Sequence, residues 1–309
     1  MSRLPTFILA GVPKSGTTSL YHYLGQHPAI YLSPIKEPTF FGAPDVLALT
    51  KTPDDERRIR ANVERTRAFL SGPMREPRDL GLVTEWDDYV RLFRGAGTAP
   101  AVGEGSVGYW WLPGAAGAIR SRLPDVRLVF LLRDPAERLF SHYLGGAWEK
   151  PGRSFASAFQ DGLKDGGDWS RAIRVGCYHD HLERFFSMFP REQTQVHLYD
   201  DFRREPASVM RAVFGFLGVD ESQAIDFTIR MRQPAVPRFP LLHRAARSFS
   251  WIFRGLPGGW RNALRRVAAR PRGEIHLDPA DRRVVTEHYR DQVERTAALI
   301  GRDLSAWLR

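Results

Sequence analysis

A short loop near the start of the chain carries residues that are typical of phosphate binding. The segment Gly11–Leu20 reads Gly-Val-Pro-Lys-Ser-Gly-Thr-Thr-Ser-Leu and follows an apolar run. Gly16 permits a tight turn, and Lys14 adds a positive point charge. Three residues with hydroxyl groups open the helix that is predicted next: Thr17, Thr18 and Ser19. Hydroxyl and backbone N–H donors at the positive end of a helix favour an anion, so the loop predicts a phosphate site.

The spacing of Gly11 and Gly16 is that of a Walker A loop, but the lysine is in a different place. A Walker A loop has its lysine directly after the second glycine, where Thr17 stands here. Lys14 lies inside the loop, two residues before that glycine. The loop therefore predicts phosphate chemistry of another kind, and an ordinary capped turn between a strand and a helix is the alternative.

A second segment places an arginine at the end of a strongly apolar run. Arg127–Leu132 reads as a buried strand, Arg133 follows it, and Pro135 suits the first turn of a helix. A guanidinium group offers phosphate a bidentate partner. Ligands of open α/β sheets bind at the carboxyl ends of the strands. Arg133 and the glycine loop, about 120 residues apart, are both expected at such ends.

Together the two segments resemble the nucleotide-binding motifs of sulfotransferases that use 3′-phosphoadenosine 5′-phosphosulfate (PAPS). In that family a Pro-Lys-Ser/Thr-Gly-Thr-Thr loop follows the first strand, and Pro13–Thr18 matches it throughout. The family's second motif binds the 3′-phosphate with an arginine and a serine eight residues later, a spacing shared by Arg133 and Ser141. The resemblance implies that Lys14 contacts the 5′-phosphate and its bridging oxygen. It also implies phosphate donors along the loop: Ser15, Gly16, Thr17, Thr18 and Ser19.

Transfer of a sulfuryl group to a hydroxyl needs a base that accepts the hydroxyl proton, and Glu37 is the candidate. In the glycan branch of the family, which includes the heparan sulfate enzymes, the catalytic glutamate lies in a Glu-x-x-Phe-Phe segment, and Glu37–Phe41 is similar to it. Thr39 stands where that branch often has a substrate-binding histidine, which leaves the acceptor open. The alternative is a surface ion pair of Lys36 with Glu37. Three histidines near the same loops are rival bases: His22, His27 and His142.

Val102–Tyr109 resembles a family segment in which several glycan sulfotransferases carry a catalytic lysine. Gly105 occupies that position, so one cationic group is missing here. Lys36 is the candidate to replace it. We assign Lys36 and Thr39 to binding of the acceptor substrate.

Two further segments resemble the nucleotide site of the family less closely. Tyr178 begins a predicted helix at the place where a tyrosine often approaches the nucleotide, and packing is its alternative role. Arg270 and Arg272 are similar to a basic loop over the 3′-phosphate, with a proline between them where the family has glycine.

Alternating strands and helices would position these motifs. Apolar runs predict the strands Thr6–Val12, Ala29–Leu32, Pro100–Glu104, Arg127–Leu132 and Thr194–Tyr199. Helical spacing predicts the helices Thr17–Gln26, 53–70, 84–94, Pro135–Trp148, Tyr178–Phe189, Pro206–Leu217 and Pro279–Ile300. This alternation predicts an α/β fold with a central parallel sheet flanked by helices. The resemblance implies the P-loop-like sulfotransferase fold, as a single domain over residues 1–309.

The positive charge of the chain is concentrated in one stretch. The net charge is +10, and residues 228–273 contain eleven arginines and no acidic residue. Without them 34 basic residues stand against 35 acidic ones, so this stretch accounts for the whole excess. We expect a basic insertion or lid at about 228–275 that meets an anionic partner. A membrane surface, an anionic glycan, a lid over the nucleotide and an internal helical hairpin are the open alternatives.

Composition excludes several classes of protein. Cys177 is the single cysteine, which excludes an internal disulfide framework and a cysteine zinc site. No apolar run approaches the roughly 18 residues of a membrane span, and no cleavable leader is expected. We expect a cytoplasmic enzyme, with contact of residues 228–272 with anionic membranes as one of the open alternatives for that stretch.

We expect PAPS as the sulfuryl donor, no metal, and an acceptor alcohol such as a glycan, a glycolipid or another natural product. No nucleic-acid partner is expected. Two alternatives remain at this point: a P-loop kinase-like phosphotransferase that needs magnesium and ATP, and a non-catalytic nucleic-acid-binding protein that uses the arginine stretch.

Overall fold

The structure is a computed structural model that divides into two compact units. The first unit consists of Met1–Arg133 and Tyr178–Ile229, and the second of Asp134–Cys177 and Arg230–Arg309. The structure describes residues 3–50, 52–74, 76–146, 154–164, 167–228, 236–237, 269–270 and 275–309. The predicted single domain over residues 1–309 stays a prediction.

The first unit is built on a parallel sheet of five strands in the order β2-β3-β1-β4-β5. These strands are β1 (Phe7–Gly11), β2 (Ile30–Leu32), β3 (Ala101–Gly105), β4 (Arg127–Leu132) and β5 (Thr194–Leu198). They coincide with the predicted strands to within a residue or two, which confirms the predicted α/β class.

Helices follow or connect the strands, as the predicted alternation requires. In chain order they are α1 (Thr17–Leu24), α2 (Ala43–Ala48), α3 (Pro53–Ser71), α4 (Trp86–Arg91), α5 (Ala115–Arg122), α6 (Pro135–Gly146), α7 (Phe155–Lys164), α8 (Asp168–Arg174), α9 (Tyr178–Phe186), α10 (Tyr199–Arg204), α11 (Pro206–Leu217) and α12 (Pro279–Ile300). Short 3₁₀ turns occur at Phe40–Gly42, Val107–Trp110, Arg191–Gln193 and Ser305–Leu308.

The register of the central strands brings three strand ends to one edge of the sheet. Leu9 of β1 lies opposite both Gly105 of β3 and Val129 of β4. Every residue of β1 and β3 is buried, as is typical of parallel strands that are covered on both faces. The loops that leave β1, β3 and β4 therefore start close together.

An apolar cluster fixes α1 and α11 against the sheet. Leu20 and Leu24 of α1 join Val213 and Phe214 of α11 in a buried cluster that also contains side chains of β1 and β4. Burial of such side chains stabilises the unit by about 1.5–3 kcal/mol each. The packing holds the first turn of α1, and with it the glycine loop, at the edge of the sheet.

The second unit joins α6, α7, α8 and α12. Asp134 begins α6, because its carboxylate accepts hydrogen bonds from the N–H groups of Ala136 (2.8 Å) and Glu137 (3.2 Å). Arg282 of α12 forms an ion pair with Asp134. The Tyr289 hydroxyl of α12 donates to the carbonyl of Ile173 (2.7 Å). Two short strands, β6 (Val236–Pro237) and β7 (Ala269–Arg270), pair antiparallel.

Candidate functional site

The loop between β1 and α1 has the backbone of an anion-binding turn. Gly16 has φ +89° and Lys14 has φ +70°, so both lie in the left-handed region. A Cβ atom on Gly16 would lie 2.8 Å from the Cε2 atom of Tyr199. A side chain at position 16 would thus meet both backbone strain and an aromatic ring. Glycine is required here, as the sequence predicted.

Several donors of this loop have no acceptor within the described residues. The carbonyl of Gly16 accepts hydrogen bonds from the N–H groups of Ser19 (3.0 Å) and Leu20 (3.2 Å). The N–H groups of Gly16, Thr17 and Thr18 have no such acceptor in the part of the chain that the structure describes. Such first-turn N–H groups carry the positive end of the helix dipole. They are available to an anion.

Ser15 adds a buried donor to the same loop. Its side chain is fully buried, and its hydroxyl has no hydrogen-bond partner among the described residues. Buried hydroxyls are nearly always paired, because leaving one unpaired costs about 1–3 kcal/mol. An oxyanion in the loop would provide the missing partner.

Arg133 lies beside this loop. It follows β4, and its Nη1 atom donates to the carbonyl oxygen of Lys14 at 3.3 Å. Its guanidinium carbon lies 4.9 Å from the ring centroid of Tyr199, the ring that covers Gly16. The structure thus brings together the two phosphate-binding segments that the sequence predicts.

Tyr178 binds the backbone of Arg133. The tyrosine is buried, and its hydroxyl donates to the carbonyl oxygen of Arg133 at 2.6 Å. Its ring also packs edge-on against Trp110, with the centroids 5.8 Å apart. These contacts are those of a packing residue. An approach of Tyr178 to the nucleotide stays a prediction.

Ser141 belongs to the second unit, where it lies on α6. Its side chain is buried, and its hydroxyl has no partner within the described ranges. On the same helix the buried Arg138 donates from Nη2 to the carbonyl of Ala172 at 2.5 Å. The predicted role of Ser141 at the 3′-phosphate stays a prediction.

Glu37 lies in a tightly held loop after β2. Its N–H donates to the carbonyl oxygen of Gly105 at the end of β3 (2.8 Å), and the φ angles of Glu37 and Thr39 are +64° and +55°. The Nζ atom of Lys36 contacts Glu37 Oε1 at 2.7 Å, with side-chain exposures of 12% and 20%. The alternative of an ion pair between Lys36 and Glu37 is thus present in the structure, with both side chains mostly buried. The role of Glu37 as the base stays a prediction.

The absence of a lysine at position 105 has a steric explanation. A Cβ atom on Gly105 would lie 2.9 Å from Cδ2 of Tyr21, whose hydroxyl donates to the carbonyl of Ser33 at 2.8 Å. The ring of Tyr21 therefore occupies the space that a side chain at position 105 would need. A role for Lys36 as the replacing cation stays a prediction.

We expect Gly105→Ala to lower the free energy of unfolding by about 1–3 kcal/mol, because the new methyl group overpacks Tyr21. The added cost should be smaller in a Tyr21→Ala background, as chemical denaturation of the four proteins of a double-mutant cycle would measure. Gly117→Ala is the control, since its Cβ would have no heavy atom within 4 Å. Equal costs of Gly105→Ala in both backgrounds would contradict the steric explanation.

No sequence motif pointed to Glu104, which the structure places next to the Glu37 loop. This residue of β3 is fully buried. Its Oε1 atom accepts hydrogen bonds from the hydroxyls of Tyr109 (2.8 Å) and Tyr89 (3.1 Å), and its Oε2 atom accepts one from Ser106 (2.6 Å). A carboxylate inside an apolar strand, followed by two hydroxyl residues, was the available signal in Ala101–Tyr109.

Burial raises the pKa of Glu104 to about 7. The three hydroxyl donors oppose this rise, and the negative charge of Glu37 adds to it. The same burial raises the pKa of Tyr89 and Tyr109 well above the usual range, with the charge of Glu104 as a second cause. Glu104 is thus the one of these groups that titrates near neutral pH.

Of the remaining predicted residues, only Arg270 lies within the described residues, and only its backbone position is known. Arg272 and most of the basic stretch 228–275 lie outside the described residues. Arg270 is placed only as a backbone position in β7, opposite Val236. Their predicted contacts with the nucleotide, and the predicted contact with anionic membranes, stay predictions.

The described part of the chain contains neither a metal-binding cluster nor a helix suited to a membrane. Within the described ranges, no cluster of three or more His, Cys, Asp or Glu side chains is arranged to hold a metal ion. Among the helices of the same ranges, none combines the length and apolar character that crossing a membrane requires.

A five-stranded parallel sheet with flanking helices, and a glycine loop after its first strand, define a P-loop-like α/β fold. The family model described as "Sulfotransferase family" matches residues 5–223. The chain therefore belongs to the sulfotransferase family.

Similar proteins agree with this assignment. A sulfotransferase of Alicyclobacillus acidocaldarius has a crystal structure that superposes with a TM-score of 0.71 at 28% identity, over 99% of this chain and 100% of that one. The human bifunctional heparan sulfate N-deacetylase/N-sulfotransferase 2 is 22% identical over 321 residues, 99% of this chain and 31% of its own length. The mouse heparan sulfate glucosamine 3-O-sulfotransferase 6 is 27% identical over 219 residues, 70% of this chain and 53% of its own. This chain spans about a third of the bifunctional protein.

Proposed function

We propose that the chain transfers the sulfuryl group of PAPS to a hydroxyl of an acceptor molecule. The observation that carries the proposal is the contact of Arg133 with the Lys14 loop, at the carboxyl ends of the adjacent strands β1 and β4. A nucleotide with phosphates on its 5′ and 3′ oxygens presents one anion to each of these cationic groups.

The described residues fit the 5′-phosphosulfate end of this donor. The loop offers the unpaired N–H groups of Gly16, Thr17 and Thr18, the buried hydroxyl of Ser15 and the charge of Lys14. Backbone N–H groups at a helix start bind phosphate oxygens in this manner. The predicted contacts of Ser19, Ser141, Tyr178, Arg270 and Arg272 extend the proposal and depend on the resemblance alone.

Bound PAPS would supply the sulfuryl group and release 3′,5′-adenosine bisphosphate. As the acceptor oxygen bonds to sulfur, Glu37 accepts the hydroxyl proton. The bond between sulfur and the bridging oxygen breaks, and its electron pair stays on the 5′-phosphate. Lys14 and the N–H groups of the loop stabilise this negative charge. Most of the catalysis then comes from positioning and from charge stabilisation.

Glycans, glycolipids and other natural-product alcohols are the acceptors we propose. The named activities of the relatives, N-sulfation and 3-O-sulfation of heparan sulfate, support glycans. Thr39 donates its hydroxyl to the Glu37 carbonyl at 3.2 Å, so it lies next to the proposed base. We propose that Thr39 and Lys36 contact the acceptor. A screen with labelled PAPS against heparosan, simple glycolipids and hydroxylated polyketides would identify its class.

Calorimetry tests donor binding without knowledge of the acceptor. We expect 3′,5′-adenosine bisphosphate to bind at least about tenfold more tightly than ATP, without magnesium, because its 3′-phosphate has a cationic partner. Arg133→Ala should weaken its binding by about tenfold or more, as loss of a charge-assisted contact does. Arg58→Ala on the exposed face of α3 is the control. Tighter, magnesium-dependent binding of ATP would overturn the proposal and favour a kinase-like phosphotransferase.

A further inference from the structure

Two of the hydroxyls that bind Glu104 also bind the loop of the proposed base. The Ser106 Oγ atom donates to Glu104 (2.6 Å) and accepts from the N–H of Thr39 (3.1 Å). The Tyr109 hydroxyl donates to Glu104 (2.8 Å) and accepts from the N–H of Phe41 (3.4 Å). Glu104 is therefore connected to the Glu37 loop at two points.

The direction of these hydrogen bonds depends on the carboxylate. A hydroxyl group has a single hydrogen, and here the Glu104 carboxylate accepts it from both Ser106 and Tyr109. The oxygen lone pairs of both groups are then left for the N–H groups of Thr39 and Phe41. Because the Glu104 carboxylate can only accept hydrogen bonds, both hydroxyls point their hydrogens at Glu104 and leave their lone pairs to the loop N–H groups.

The loop needs such support because its backbone is strained. Glu37 and Thr39 have positive φ angles, which cost free energy for residues other than glycine. Strained positions persist when surrounding contacts fix them. The N–H groups of the loop are held by β3 and the turn that follows it: Gly105 accepts from Glu37, Ser106 from Thr39, and Tyr109 from Phe41. The carbonyls of Glu37 and Pro38 accept from the N–H groups of Gly81 (3.3 Å) and Val83 (3.0 Å).

We infer that Glu104 is a positioning residue for sulfuryl transfer, which holds the Glu37 carboxylate in place through the hydroxyls of Ser106 and Tyr109. The inference rests on the proposed function, since it takes Glu37 as the base. Glu104 itself is buried and needs no contact with the acceptor or the donor.

The charge state of Glu104 should appear in the pH dependence of turnover. The groups that face it are Tyr89 of α4, Tyr109 and Ser106 after β3, Tyr21 of α1 and Glu37. Burial raises the pKa of both Tyr21 and Tyr89, so these phenols stay protonated near neutral pH. Below about pH 7 Glu104 becomes protonated, and its own O–H must then find an acceptor among the hydroxyls. Where Ser106 or Tyr109 is that acceptor, its hydrogen turns away from Glu104 and one of its lone pairs is no longer available to the loop N–H groups.

The variants to compare are Glu104→Gln, Ser106→Ala, Tyr109→Phe and, as a control, Tyr89→Phe. The Tyr89 hydroxyl binds Glu104 but has no described contact with the backbone of residues 37–41. At about pH 8.5, where Glu104 is ionised, we expect the first three variants to lower kcat by about 10- to 100-fold, as small misplacements of a catalytic group do. Tyr89→Phe should stay within about threefold of the wild type. The affinity for 3′,5′-adenosine bisphosphate should change little in all four.

Two further measurements separate positioning from general loss of structure. The kcat of the wild type should fall as the pH drops through about 7, and Glu104→Gln should lack this limb of the profile. Hydrogen exchange of the peptide that covers residues 36–42 should be faster in Glu104→Gln and in the Ser106→Ala/Tyr109→Phe double variant. Melting curves confirm that each variant is folded at the assay temperature.

The outcomes distinguish this inference from the proposed function. An active wild type together with wild-type kcat in Glu104→Gln, Ser106→Ala and Tyr109→Phe would overturn the inference and leave the function intact. A wild type that neither binds 3′,5′-adenosine bisphosphate nor transfers sulfate would overturn the function. In that case hydrogen exchange of residues 36–42 still tests the inference. Exchange rates in the variants equal to those of the wild type would show that Glu104 does not hold the loop.

Discussion

Glu37→Gln is expected to lower kcat about 100-fold or more, because a carboxamide cannot accept the proton of the acceptor hydroxyl. Glutamine keeps the size of the side chain, and the N–H of residue 37 can still bind the carbonyl of Gly105. The loop should therefore keep its shape. Turnover of labelled PAPS, measured with the acceptor that the screen identifies, checks this prediction.

The affinity for the nucleotide separates this effect from damage to the donor site. The Glu37 loop follows β2, whereas the donor loops follow β1 and β4, so binding of 3′,5′-adenosine bisphosphate should stay within about threefold of the wild type. Glu64→Gln, on an exposed position of α3, is the matched control and should leave kcat unchanged. Wild-type turnover by Glu37→Gln would remove Glu37 from the mechanism.

The sheet could be predicted well from the sequence because its strands are buried on both faces. The run Leu128–Leu132 of β4, for example, is apolar throughout, and Pro135 marks the start of the helix that follows it. Short helices were harder to predict from the sequence. Helices α2, α5 and α10 have six to eight residues and little periodicity, and α10 follows β5 without an intervening residue. Nothing local in the sequence marks the change from strand to helix at Tyr199.

The site could be predicted in part, and the limit has a physical cause. The glycine loop and Arg133 belong to local motifs, and the structure confirms that they lie together. The connection from Glu104 to residues 39 and 41 is formed by contacts between residues that are 67 and 68 positions apart in the sequence. Glu37 and Thr39 have positive φ angles, which neither residue type favours, so the local sequence does not predict the backbone of this loop. Sequence patterns do not record such long-range contacts.

Gly105 shows how a departure from a motif can be explained by its surroundings. The sequence shows only that a lysine is missing. The structure shows that Tyr21 fills the space beside position 105 and that the cation of Lys36 pairs with Glu37. A cationic group therefore lies at the proposed base without a lysine at position 105.

Lys14→Ala is expected to lower kcat about 100-fold, because it removes the cation at which negative charge develops when the bond to sulfur breaks. The unpaired N–H groups of Gly16, Thr17 and Thr18 remain, so nucleotide binding should weaken by only about tenfold. Single-turnover kinetics and calorimetry would measure the two effects separately. Lys164→Ala, at an exposed position at the end of α7, is the matched control. A Lys14→Ala enzyme that loses affinity and turnover equally would show that Lys14 only holds the nucleotide, since a group that acts in the transition state lowers kcat beyond its effect on binding.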